Sequence, residues 1–120
     1  MIDLQVYNAI KQSWSKKTCY PGAKDKWSRT NAALGQCAIT ALLLHEFYGG
    51  EILYNKQHNH YWNRINGKEI DITRSQFTDG TIICIDETRN TDSLFSSPGS
   101  ITANTKERYD IFKKEVMKLL

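Results

Sequence analysis

The sequence predicts an α+β fold in a single domain spanning residues 1–120, with a central buried helix packed on an antiparallel sheet. Three observations predict it. Residues 36–48 form a helical run that is apolar nearly all round. Asn66-Gly67 separates two strand-like runs. The chain closes on a further amphipathic stretch, residues 106–120. At 120 residues the chain has the usual length of one domain, about 100–150.

The first helix is expected over residues 3–14, where Leu4, Val6, Tyr7, Ile10 and Trp14 recur at helical spacing. The polar run Ser15-Lys16-Lys17-Thr18 stops it, and Pro21-Gly22 marks a turn. Residues 15–35 show no sustained period and read as a long irregular connection, a kind of segment that often carries function. From Ala38 to Tyr48 eight of eleven residues are apolar, so this helix belongs inside the fold. Gly49-Gly50 ends it at the usual place for a left-handed cap.

Strands are expected at residues 51–54, 59–65 and 68–73, the last two joined as a hairpin by Asn66-Gly67. Residues 81–85 read as another short strand. Residues 87–105, rich in Thr, Ser, Asn and Asp, read as loop. Tyr109, Phe112, Val116 and Leu119 then place one face of the last helix on the core.

Composition excludes several classes of function. Mean hydropathy is −0.54. No apolar run exceeds four residues, as at Ala41–Leu44, which falls far short of the roughly 18 residues of a membrane span. A net charge of +3 on scattered Lys and Arg lacks the basic patch of a nucleic-acid binder. The first residues show no basic segment followed by an apolar stretch, so no secretory signal is read. Cys19, Cys37 and Cys84 are odd in number and widely spaced, which points to free thiols in a reducing, cytoplasmic setting.

Cys37 begins the central helix. Helix-start N–H groups and the helix dipole favour thiolate over thiol and can receive a developing oxyanion. A two-residue turn at Asn66-Gly67 sets the hairpin register. Ile65 then faces Lys68, Arg64 faces Glu69, Asn63 faces Ile70, Trp62 faces Asp71 and His60 faces Thr73. His60, Trp62 and Asp71 share one sheet face in that register. Asp71 is the diagonal neighbour of His60, about 5.5–8 Å away between backbones.

A helix-start cysteine, a strand histidine and a carboxylate on the next strand are the parts of thiol acyl transfer. Cys37 is the candidate nucleophile, His60 the base, and Asp71 the group that orients the imidazole. Trp62 is a candidate pocket wall, and Asn63 a candidate donor near the site. A zinc site from Cys37, His58 and His60, with Asp71 or Cys84, lacks any ligand-spacing signature. No metal or cofactor is expected. Cys19 and Cys84 have no adjacent base or helix start and read as structural.

Several segments also resemble the bacterial YunG-like family. They are Gly35–Leu42, Phe47–Leu53, His60-Tyr61-Trp62-Asn63, Asp71–Phe77 and Thr105–Tyr109, with Trp14-Ser15 and Thr18 before them. A broader resemblance is to the papain-like and transglutaminase-like cysteine fold, where a cysteine likewise starts a central helix and His and Asp lie on successive strands. That resemblance implies the same roles for Cys37, His60 and Asp71. A papain-like oxyanion glutamine would precede the cysteine by several residues. Gln36 is adjacent to it and is carried as a substrate-binding candidate with Trp62 and Asn63. Two readings follow. One is a thiol-dependent hydrolase or acyl transferase acting on a peptide or small-molecule amide or ester. The other is a binding or interaction protein that keeps the scaffold without turnover.

Overall fold

A computed structural model of the chain describes residues 2–120. Met1, where the expected domain begins, lies outside the described residues. Helix α1 (Leu4–Ser13) is capped by Asp3, whose carboxylate accepts from the Gln5 N–H at 2.8 Å. An irregular stretch follows, with one 3-10 turn at Pro21–Lys26. Helix α2 (Cys37–Tyr48) leads into strand β1 (Glu51–Asn55), then β2 (His60–Ile65) and β3 (Lys68–Ile70). A second 3-10 turn, Arg74–Gln76, precedes β4 (Glu87–Arg89). Two short helices, α3 (Thr91–Ser96) and α4 (Pro98–Thr102), lead to the closing helix α5 (Thr105–Lys118).

The four strands form one antiparallel sheet in the order β3-β2-β1-β4. Helix α2 packs against β2 and α5, and α1 packs against α5. Ile39 to Leu44 of α2 are all buried, as a helix apolar on every side requires. Ile10, Ile52, Phe112 and Val116 join them in the core. The turn after α2 depends on Gly50, whose φ is +74° and where a Cβ would sit 2.3 Å from the Arg64 carbonyl oxygen.

The hairpin pairs Ile65 with Lys68, Arg64 with Glu69 and Asn63 with Ile70, as the Asn-Gly turn predicts. Asn66 and Gly67 both have positive φ, which matches the twist of the strands they join. The third strand is shorter than expected. It ends at Ile70, so the Trp62–Asp71 and His60–Thr73 pairings do not form. The chain instead turns out of the sheet at Asp71.

Residues 81–85 are not a strand, and Ile82 is 80% exposed. The edge strand is β4, where Arg89 pairs with Ile52 and Glu87 with Tyr54. Only one side of an edge strand bonds to a neighbour, and its side chains stay near water, so a polar Glu-Thr-Arg sequence suits it. Residues 87–105, expected as loop, also hold α3 and α4. Their Asn and Ser residues act as caps: Asn90 accepts from the Ser93 N–H, and Ser97 accepts from the Ser100 N–H.

Candidate functional site

Cys37 is the first residue of α2, at the end of an approach that only glycine allows. Gly35 has φ +73°, and a Cβ there would lie 2.6 Å from Cys19 Sγ and 2.8 Å from the Tyr20 nitrogen. Its carbonyl accepts from the Tyr20 N–H at 2.9 Å, which ties the irregular stretch to the helix start. Cys37 is half-buried, and its thiol points to the Asn59 carbonyl at 3.9 Å. Asn59 is the residue before His60, so the start of α2 meets the start of β2.

His60 is fully buried. Its ring stacks on Trp62 at 5.4 Å between centroids and meets the edge of Phe77 at 4.8 Å. Nε2 lies 2.7 Å from Asp71 Oδ2. Asp71 reaches it from the turn after β3, where the Thr73 hydroxyl donates to its other oxygen at 3.4 Å. The register arithmetic expected the two residues to be diagonal neighbours on adjacent strands. They meet instead because the chain leaves the sheet at Asp71.

Burial opposes the charged imidazole. The hydrogen bond to Asp71 and the nearby Cys37 thiol outweigh it and raise His60 to about 9. His60 Nδ1 is buried with no hydrogen-bond partner among the described residues. An orphaned buried nitrogen of this kind calls for an explanation, and a functional role is one.

A cavity of about 450 Å³ opens beside Cys37. His58, Asn59, Tyr61, Gln76, Arg89 and Arg108 are among the residues lining it. Gln76 Oε1 accepts from the Gly35 N–H at 3.4 Å, which sets the amide's orientation. Its Nε2 is buried without a partner among the described residues. Burial pushes the Tyr61 phenol up to about 12, so it stays neutral.

The three candidate binding residues are placed elsewhere. Gln36 is fully buried; its Oε1 accepts from the Thr18 hydroxyl at 2.7 Å and its Nε2 donates to the Ser15 carbonyl at 3.0 Å. It tethers the irregular stretch and does not line the cavity. Asn63 is 1% exposed and donates to the Ala41 carbonyl at 3.0 Å, inside the α2–β2 packing. Trp62 backs the His60 ring and donates to Glu69 Oε1 at 2.8 Å. Both amides and the indole therefore hold the scaffold in position, and none of the three faces Cys37 across the cavity.

Arg108 lines the cavity and, like Tyr61 and Arg89, was not singled out from the sequence. A signal was present: with Thr105, Tyr109, Phe112 and Val116 it occupies the buried stripe of α5, where a charge is out of place. The other two thiols differ from Cys37. Cys19 is sealed, with Sγ 3.3 Å from the Leu34 carbonyl, and burial raises its pKa. Cys84 is exposed. Among the described residues no group of three or more His, Cys, Asp or Glu is arranged to hold a metal ion. Among the described residues no helix is long and apolar enough to cross a membrane.

The family model described as YunG protein matches residues 3–120. A Bacillus subtilis (strain 168) protein named "Uncharacterized protein YunG" is 36% identical over 70 residues. That match covers 57% of this chain and 56% of the relative. No solved structure matches the chain.

Proposed function

The chain belongs to the YunG family, matched over residues 3–120, and we propose that it is a thiol-dependent hydrolase or acyl transferase acting on an amide or ester. The observation that carries this reading is the His60–Asp71 pair, 2.7 Å apart, together with the helix-start Cys37, which lines a 450 Å³ cavity that neither His60 nor Asp71 lines. The order of parts is similar to papain-like and transglutaminase-like enzymes: a cysteine at a helix start, a histidine on a following strand, then a carboxylate.

In this reading the Cys37 thiolate attacks the carbonyl carbon. A C–S bond forms, and the carbonyl electron pair moves onto oxygen. The Cys37 backbone N–H, in the helix's first turn and so without an intrahelical partner, receives that oxyanion together with Gln76 Nε2. Collapse breaks the bond to the leaving group, and His60 supplies the leaving group's proton through Nδ1 while Asp71 holds Nε2. Water or an acceptor amine or alcohol then attacks the thioester, with His60 taking its proton. The buried, unpartnered state of both Nδ1 and Gln76 Nε2 supports these roles.

A second reading is a binding protein that keeps this scaffold without turnover. It is favoured by the direction of the Cys37 thiol, which points to the Asn59 carbonyl. Acylation by 4-nitrophenyl acetate separates the two. The enzyme reading expects a burst of about one 4-nitrophenolate per chain, with the acetyl group on Cys37 by mass spectrometry, followed by turnover. Acetylation spread over Cys84 and lysines, with no burst, supports the binding protein.

A further inference from the structure

The cavity beside Cys37 has a one-sided charge. Arg89 and Arg108 line it with His58, while no Asp or Glu does. Arg108 is only 5% exposed, so its charge lies almost entirely out of water. Its guanidinium donates to the carbonyls of Ala103 at 2.9 Å, Thr18 at 3.0 Å and Gly35 at 3.5 Å, and to the Thr105 hydroxyl at 3.4 Å. Among the described residues it pairs with no carboxylate. Neutral acceptors orient the group but leave its charge uncompensated, and a buried cation without an anion is strongly unfavourable.

Arg89 adds a second cation at the wall. It lies 4.1 Å over the Tyr54 ring, and its partner Glu87 is half-exposed. The hydroxyl-bearing residues Ser97, Ser100 and Thr105 line the same cavity and add groups able to bond an oxyanion. A neutral or cationic occupant would leave Arg108 as it is. An anionic one would complete it.

We infer that the acyl group delivered to Cys37 carries an anionic tail, a carboxylate a few bonds from the reacting carbonyl, seated in the field of Arg108 and Arg89. The inference rests on Cys37 as nucleophile and adds the substrate class. The reaction is the acyl transfer described above: the C–S bond forms, the ester C–O bond breaks, and 4-nitrophenolate leaves with the electron pair.

Two esters of equal chain length test it: 4-nitrophenyl hydrogen glutarate, which ends in a carboxylate, and 4-nitrophenyl pentanoate, which ends in a methyl group. Acylation rates at Cys37 and at exposed Cys84 are read by mass spectrometry of the intact chain's peptides, so Cys84 serves as an internal reference. The glutarate-to-pentanoate ratio at Cys37 is expected to exceed that at Cys84 by about tenfold or more, the weight of one charge-assisted contact. Arg89→Gln and about 1 M salt should each lower that preference, and Arg108→Gln should lower it further. If Arg108→Gln does not fold, the wild-type ratio and its salt dependence still decide.

A fast Cys37 whose ratio lies within about twofold of the Cys84 ratio overturns the anionic tail and leaves the nucleophile standing. A Cys37 no faster than Cys84 with either ester, but with the glutarate preference intact, overturns the nucleophile and supports the anion site. Slow reaction without preference overturns both.

Discussion

The segment 37–65 and the segment 71–104 are built differently. The first contains α2, β1 and β2 and supplies much of the core. Its strands pair over their full lengths, from Glu51 with Arg64 to Asn55 with His60. The second contains elements of three to six residues, held by side-chain caps and single contacts such as Asn55 Nδ2 donating to the Cys84 carbonyl at 2.8 Å. Cys37 and His60 come from the first segment. Asp71, Gln76 and Arg89 come from the second. In the proposed reading the nucleophile and the base therefore stand on the segment that supplies much of the core, while Asp71, Gln76 and Arg89 stand on the segment with little of it. Stability and reactivity should separate along that line.

The largest effect is expected in the first segment. Leu43 is fully buried in α2, and Leu43→Ala should cost about 2–5 kcal/mol in urea denaturation. A loss below about 1 kcal/mol would show that α2 is not the centre of the fold. Gly50→Ala comes next. A Cβ 2.3 Å from a backbone oxygen at φ +74° should destabilise by more than about 1 kcal/mol.

Asp71→Asn sharpens the contrast, because it should act on the site more than on the fold. It removes the carboxylate that holds His60 Nε2, so acylation at Cys37 should slow by about tenfold or more. Its effect on stability should depend on pH. His60 is raised to about 9 in the fold against an ordinary value near 6.5. A raised basic group contributes stability that is full below about pH 6.5 and is lost as pH rises through about 9. The wild type's advantage over Asp71→Asn in urea midpoint should therefore shrink between those limits. A constant gap would mean that the pair does not titrate as described. The smallest effect is expected at Ile82, which is 80% exposed. Ile82→Ala should change stability by less than about 0.5 kcal/mol, whereas a larger loss would give the second segment a packing role.

The same division decides what could be read from the sequence. In the first segment the pattern and the structure obey one physics. An all-round apolar helix has to be buried, and an Asn-Gly turn sets its register without outside help. The register points to a His60–Asp71 pair, but the pairing stops at Ile70 and the two residues meet because the chain turns out of the sheet at Asp71. In the second segment local signals compete with tertiary ones. The apolar residues 81–85 have β propensity but form no strand, and the edge of β1 opposite β2 is taken by β4. Asn90 and Ser97 favour turns and helix caps alike, and only the helices that follow reveal which. Gln36 and Asn63 are amides at positions beside the candidate site in sequence. Whether such an amide faces a cavity or ties down backbone depends on contacts with Thr18 and Ala41, which no local pattern encodes.

The central claim of the proposed function is that Cys37 is a nucleophile assisted by His60. It is tested most directly by the pH dependence of iodoacetamide labelling at each cysteine, in the wild type and in His60→Ala. The account predicts that wild-type Cys37 labels fastest of the three cysteines and that its lead over exposed Cys84 persists at about pH 6. In His60→Ala the low-pH rate at Cys37 should fall by about a hundredfold and follow the slope of Cys84. Equal rates at Cys37 and Cys84 at pH 6, or an unchanged Cys37 profile in His60→Ala, would contradict it.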